Sequence, residues 1–191
     1  MTRSTTLYRR VLGEVFDSLP PEIKGVHDLP EGGVARGRCH VRRGRCLFAR
    51  WIATMLRFPS PGRNLPVTVR FEHRDSREVW RRDFAGHEMT SIQEPAKAGG
   101  RLVERFGPCA VELAVPAGPD GLRLEPRRMW LFGVPLPRFL LPQIQASERV
   151  LRGRFRFDVR IALPLLGLLV HYRAYLLPVT AVGEDGPARD E

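Results

Sequence analysis

Three charged residues occupy positions where the alternating pattern of the sequence otherwise places apolar side chains. Arg82 is two residues from Trp80, Arg128 is two residues from Trp130, and Glu104 has apolar residues two positions before and after it. Because successive side chains of a strand point to opposite faces, each charge shares a face with large apolar groups. The charges and the aromatic residues around them form the candidate ligand-binding site: Trp80, Arg82, Glu104, Phe106, Arg128, Trp130 and Phe157.

A charge within an apolar layer is costly unless a partner neutralises it. We therefore expect Glu104 to pair with an arginine on a neighbouring strand. Three interpretations of the charged residues stay open: they form an internal ion pair, a β-bulge turns them outward, or they bind the head group of a ligand. The third interpretation predicts an arginine-anchored pocket for an anionic amphiphile such as a fatty acid.

Other sequence patterns that indicate chemistry are missing. The five histidines show no two-histidine helical spacing with a third ligand, so no metal site is predicted. The sequence contains no Gly-x-Ser-x-Gly, no P-loop and no cysteine beside a recognisable His and Asp or Asn pattern. We therefore predict no catalytic residue and no cofactor, and we favour a binding function over an enzymatic one.

Helical periodicity is confined to the first third of the chain. It predicts a helix over residues 4–19 that Pro20 and Pro21 end, followed by a loop through His27. After a short extended run over residues 34–41, a second helix is predicted over residues 46–58. The apolar stripe of this second helix consists of Leu47, Phe48, Trp51, Ile52, Met55 and Leu56.

Between residues 65 and 177 the apolar residues alternate with polar ones, which is typical of half-buried strands. We count eight or nine strands in a meander, and a flat sheet of that size would leave long edges exposed. The pattern predicts a mainly β (α+β) fold: a strongly curved antiparallel sheet or incomplete barrel, calycin-like, with an N-terminal helix and a second helix after the first strand.

A helix-grip lipid-transfer fold is the alternative architecture. That fold needs a long C-terminal helix, which the stretch after Pro178 does not supply. The length of 191 residues fits one domain, which we place at residues 1–180, with a disordered polar tail at residues 181–191.

The net charge of +10 raises the question of a polyanionic partner. Nearly all of the positive charge is arginine, and it is scattered along the chain. The densest basic run, at residues 36–45, contains few aromatic residues on which bases could stack. Nucleic acid is therefore not favoured as a partner.

The compartment is predicted from the cysteines and the apolar stretches. Three cysteines without a Cys-x-x-Cys spacing indicate neither a disulfide framework nor a zinc site. The first ten residues lack the apolar segment of a signal peptide. The most apolar stretch, residues 161–170, is interrupted by Pro164 and Gly167. We expect a cytoplasmic protein without a transmembrane segment.

Five segments, taken in their order and spacing, resemble the bacterial family named domain of unknown function 4166. They are LYRRVLGEVFDSLPPEIKGVH (7–27), WRRDFAG (80–86), ERFGP (104–108), GVPLPRFLLP (133–142) and FRFDVRIALPLLGLLVHYRAY (155–175). The resemblance implies a domain that in other proteins follows a nucleotide-binding, dehydrogenase-like module. It implies no activity and no catalytic residues.

Two functions follow as hypotheses. The first is a small-molecule or lipid-binding module whose apolar cavity takes a hydrophobic or anionic amphiphilic molecule. The alternative is an accessory domain with a filled core that docks on a partner oxidoreductase. A continuous cavity would favour the first hypothesis, and an exposed apolar patch at residues 134–141 would favour the second.

Overall fold

An antiparallel sheet of ten long strands closes on itself to form a barrel. The structure is a computed structural model, and it describes residues 5–29, 32–74 and 76–177, together with the backbone of residues 180 and 181. The barrel strands are β1 Gly33–Arg43, β2 Gly62–Arg74, β3 Arg77–Phe84, β4 His87–Pro95, β5 Arg101–Phe106, β6 Cys109–Ala114, β8 Gly121–Leu131, β10 Gln143–Leu151, β11 Arg154–Leu163 and β12 Gly167–Leu176. The short strands β7 Ala117–Gly118, β9 Val134–Pro135 and β13 Thr180–Ala181 extend the sheet locally.

The barrel is closed by pairing between β8 and β10. The strands follow the order β10-β11-β12-β1-β2-β3-β4-β5-β6-β8, and Ala146 of β10 lies opposite Leu124 of β8. The predicted mainly β, calycin-like fold is confirmed, and the sheet closes further than the predicted incomplete barrel. The helix-grip alternative is not observed, because strand pairing, and not a long helix, completes this fold.

Antiparallel connections place alternate turns at opposite ends of the barrel. We call the end where β1 finishes at Arg43 and β2 begins at Gly62 the upper end. The lower end is where β2 finishes at Arg74 and β3 begins at Arg77. Ala181, the first residue of the predicted disordered tail, lies in β13 and pairs with Gly33 of β1. Residues 182–191 of that tail lie outside the described residues.

One glycine is required by the close approach of two strands. A Cβ atom added to Gly37 of β1 would lie 1.8 Å from the backbone oxygen of Tyr175 in β12. Backbone atoms cannot move away as a flexible side chain can, so only glycine allows this separation of the strands. The alternation predicted for residues 65–177 places apolar side chains inside the barrel, except where a β-bulge interrupts it in β8.

The N-terminal segment covers the lower end with three short helical pieces and not with the one long helix predicted. They are α1 Leu7–Leu12, a 3₁₀ turn at Gly13–Ser18 and α2 Pro21–His27. The predicted loop through His27 is wrong, because Pro21 begins α2 in the first-turn position that tolerates its missing N–H. Leu7, Tyr8, Phe16 and Ile23 of this segment are fully buried.

Helix α3, Leu47–Met55, connects β1 to β2 at the upper end. Its small residues Ala49 and Ala53 are buried, and much of its predicted apolar stripe is exposed. The segment that follows α3 is fixed against β1, because Arg43 at the end of β1 donates hydrogen bonds to the backbone oxygens of Phe58 and Pro59. None of the helices in the described residues has both the length and the apolar character needed to cross a membrane.

We predict that the N-terminal segment is an integral part of the core. Phe16→Ala should lower the free energy of unfolding by about 3–5 kcal/mol, because it removes a fully buried ring. The neighbouring Val15 is 46% exposed, so Val15→Ala should change the stability by no more than about 0.5 kcal/mol. Urea unfolding of both variants measures the difference, and equal effects would contradict the burial of this segment.

Candidate functional site

A cavity of about 90 Å³ lies inside the barrel and is lined mainly by apolar side chains. Phe58, Met89, Phe106 and Ile144 border it toward the upper end, and Trp80 and Phe155 border it toward the lower end. These side chains come from inward-facing positions of the strands, except for Phe58, which follows α3. The alternation of the strands therefore produces the cavity directly.

A row of polar groups crosses three adjacent strands halfway along the cavity. Arg82 of β3 donates from Nη1 to the Ser91 hydroxyl of β4 at 2.7 Å, and its Nη2 lies 3.4 Å from Glu104 Oε1 of β5. The Arg82 guanidinium also lies 4.8 Å from the centre of the Trp80 ring, which adds a cation–π contact. Glu104 pairs with an arginine as predicted, but the prediction of a neighbouring strand is wrong, because β4 lies between β3 and β5 and the long Arg82 side chain reaches across it.

Five of the seven predicted site residues meet at the cavity: Trp80, Arg82, Glu104, Phe106 and Phe157. Arg128 and Trp130 do not. The ladder between β6 and β8 shifts register after Glu112, which lies opposite Arg128, whereas Leu113 lies opposite Pro126. This β-bulge turns Arg128 and Trp130 to the outer side of the sheet, and Met129 packs against the core instead.

A second polar group lies at the lower end of the cavity and includes residues that the sequence did not indicate. His27 Nε2 lies 2.6 Å from Glu148 Oε2, and the rings of His27 and Tyr8 are 3.7 Å apart. Glu148 and Gln93 line the cavity. Within the described residues, the Tyr8 hydroxyl, His27 Nδ1 and Gln93 Oε1 are buried without a hydrogen-bond partner.

Glu78 joins this lower polar group to the N-terminal helix. Its Oε1 accepts from the Leu7 backbone N–H at 3.1 Å, and its Oε2 accepts from the Trp80 indole at 3.1 Å. The carboxylate is buried, and both hydrogen bonds offset part of its desolvation cost. Through Glu78, helix α1 is thus linked to Trp80, which borders the cavity.

Of the four polar residues that the sequence analysis missed, two could have been predicted and two could not. Gln93 and Glu148 share the inward register of Ser91 and Ala146, so strand alternation alone could have identified them. Tyr8 and His27 are in short helices, and no sequence pattern states which part of the barrel those helices cover.

Burial keeps the phenols near the cavity protonated. The pKa of Tyr8 is raised well above its usual range by burial and by the carboxylates of Glu148 and Glu78. Burial raises the pKa of Tyr172, whose ring borders the cavity, to about 12. Both hydroxyls therefore remain hydrogen-bond donors at neutral pH.

In the described residues, no three His, Cys, Asp or Glu side chains are grouped so that they could hold a metal ion.

The comparison with protein families gives one match. A family model described as "Domain of unknown function (DUF4166)" matches residues 19–176. The chain belongs to the DUF4166 family. No curated protein matches it at a significant level. The DUF4166 match spans all ten barrel strands and every residue of the polar row, but it begins after Tyr8. The family description assigns no activity, so the function has to be inferred from the cavity.

We predict that Arg82 and Glu104 act as a pair in the fold. Arg82→Leu should lower the free energy of unfolding by about 3 kcal/mol, because it leaves the Glu104 carboxylate partly buried without its cation. The double variant Arg82→Leu/Glu104→Leu should recover most of that loss. Chemical denaturation measures both, and additive losses would show that the two side chains are not coupled.

We predict that stability falls in alkaline solution. A tyrosine whose pKa is raised on folding stabilises the fold below its unfolded value of about 10 and loses this contribution as the pH rises toward 12. For Tyr172 the loss should amount to about 2–3 kcal/mol between these limits. Unfolding measured from pH 9 to pH 12 should show a smaller decline in Tyr172→Phe. Tyr175→Phe, on the outer face of the same strand, is the control and should decline as the native protein does.

Proposed function

We propose that this DUF4166 barrel binds a small, largely apolar molecule that carries a neutral hydrogen-bonding group. The observation that supports the proposal is the apolar cavity with Gln93 Oε1 buried beside it and without a partner. A buried acceptor without a partner costs about 1–3 kcal/mol, so a ligand that donates a hydrogen bond there gains that amount. Apolar walls with few polar groups are typical of small-molecule sites.

The charges around the cavity favour a neutral group over the anionic head group considered from the sequence. The cavity is lined by two carboxylates, of Glu104 and Glu148, and by one guanidinium, of Arg82, so negative groups outnumber positive ones. Arg82 already contacts Ser91 and Glu104, so an anionic ligand would have to compete with Glu104 for it. A hydroxyl or amide group of a ligand meets no such competition.

The size of the cavity limits the ligand further. A cavity of about 150 Å³ lined by apolar groups takes up benzene. At about 90 Å³, the DUF4166 cavity suits an alkyl chain of a few carbons. A six-carbon chain requires a small movement of flexible side chains such as Met89, and a full-length acyl chain requires a much larger one. A small molecule is therefore favoured over a bulky lipid.

An interaction module is the second candidate function, and exposed apolar side chains at residues 132–140 support it. Within residues 134–141, where a docking patch was expected, Val134 and Phe139 are 63% and 75% exposed, and Phe132 just before this region is 81% exposed. In this interpretation the resemblance to domains that follow a dehydrogenase-like module makes an oxidoreductase the partner.

For the compartment we propose the cytoplasm. All three cysteines are free, which is the usual state in a reducing environment.

Binding can be tested with 1-hexanol and hexanoate, which differ only in their polar end. Methyl NMR of labelled Met89, Ile144 and Ile161, which border the cavity, should show saturable shifts with hexanol and weaker shifts with hexanoate at neutral pH. Stronger binding of hexanoate would contradict the neutral-ligand proposal. Native mass spectrometry of freshly purified protein should in addition detect a small neutral molecule bound to the barrel.

The matched control uses two adjacent residues of β10. Ala146 borders the cavity, so Ala146→Phe should fill it and abolish the hexanol shifts. Gln145 points outward, so Gln145→Phe adds the same ring outside the barrel and should leave the shifts unchanged. Hexanol shifts that persist in folded Ala146→Phe would place binding elsewhere.

A further inference from the structure

Exposed large apolar side chains gather at the upper end of the barrel. They come from three connections that are separate in sequence: the one with helix α3 between β1 and β2, the one between β8 and β10 with its hairpin and the 3₁₀ turn at Arg138–Leu140, and the turn between β11 and β12. The strand directions place all three connections at this end. We call the set the upper apolar surface: Leu47, Phe48, Trp51, Met55, Phe132, Val134, Phe139, Leu140 and Leu165.

Helix α3 presents its bulky face to the outside. Leu47, Phe48 and Trp51 are 78%, 58% and 57% exposed, while the alanines of the helix face inward. The rings of Phe48 and Trp51 stack with their centres 5.6 Å apart. Burying these side chains against the barrel would have gained apolar contact, so their exposure indicates a partner at this surface.

The three connections that carry these exposed apolar side chains contain basic residues and no acidic ones. Residues 42–63, 132–142 and 163–168 contain no aspartate or glutamate, although they include exposed Arg45, Arg50, Arg57 and Arg138. Within the described part of the chain, these four arginines form no ion pair with a carboxylate. At the lower end, by contrast, acidic residues such as Asp17 and Asp28 pair with Arg9. Asp83 and Glu88 flank the β3–β4 turn at the upper end, but the arginines outnumber them. The upper apolar surface is therefore both apolar and cationic on balance.

We propose that the upper apolar surface docks on a lipid bilayer that contains anionic lipids. Trp51, Phe48 and Leu47 would lie in the boundary between head groups and acyl chains, as the apolar face of an interfacial helix does. Arg45 and Arg50 would then meet the lipid phosphates, which attract basic side chains by about 1 kcal/mol each near the surface. This proposal concerns the outer surface and does not depend on a ligand in the cavity.

The pattern fits a membrane better than a protein partner. Three separate connections contribute apolar side chains, and the charged residues within them are all arginines, which matches a plane of negative head groups over an apolar layer. Protein interfaces are also enriched in aromatic residues and arginine, so it is the lack of acidic side chains in these three connections that favours an anionic bilayer. The docked surface includes the segment of α3 that leads to Phe58, which borders the cavity.

Co-sedimentation with vesicles tests the proposal. The protein should pellet with vesicles of phosphatidylcholine and phosphatidylglycerol, but not with vesicles of phosphatidylcholine alone, and high salt should reduce the bound fraction. Phe48→Ser/Trp51→Ser should lose most of this binding, and so should Arg45→Glu/Arg50→Glu. Leu151→Ser removes a half-exposed apolar side chain at the lower end and should bind as the native protein does.

Three results would overturn the proposal: no binding to anionic vesicles, binding that the α3 variants leave intact, or an equal loss in Leu151→Ser. If the protein does not bind vesicles, the upper apolar surface is better explained as a docking site for another protein. Circular dichroism of each variant checks that it is folded. The hexanol titration is a separate measurement, so its outcome does not decide this one.

Discussion

Closure of the sheet between β8 and β10 is the constraint from which the rest of the structure follows. Once the strands form a ring, the two-residue alternation sorts each side chain to the inside or to the outside. Arg82, Ser91 and Glu104 then lie in the largely apolar interior, where each finds its partner. The row of polar groups is thus a direct result of closing a sheet whose inward positions include charged residues.

The sequence was informative where one simple period controlled the structure. The period of two between residues 65 and 177 predicted a curved antiparallel sheet, and it placed Arg82, Glu104, Phe106 and Phe157 on its inner face. It failed at Arg128 and Trp130, because a bulge adds one residue to β8 and reverses the faces beyond it. A bulge depends on the partner strand, and the sequence of β8 alone does not contain that information.

Helices were harder to interpret than strands for a related reason. The apolar stripe of α3 was visible, but the direction in which it faces is set by the small space that Ala49 and Ala53 leave against the barrel. Likewise, Tyr8 and His27 belong to the lower polar group only because their helices cover the lower end. Periodicity describes one element at a time, whereas both of these outcomes depend on how elements meet.

The carboxylate of Glu78 connects two parts of the molecule that are 71 residues apart in sequence. One oxygen holds the first turn of α1, and the other holds the indole of Trp80 on the wall of the cavity. A shortened chain that starts at residue 19, where the family match begins, would therefore lose more than a peripheral helix. The Glu78 carboxylate that accepts from the Trp80 indole would no longer be held by α1, and the lower end of the barrel would open to solvent. An expression boundary for this chain should accordingly be chosen upstream of Leu7.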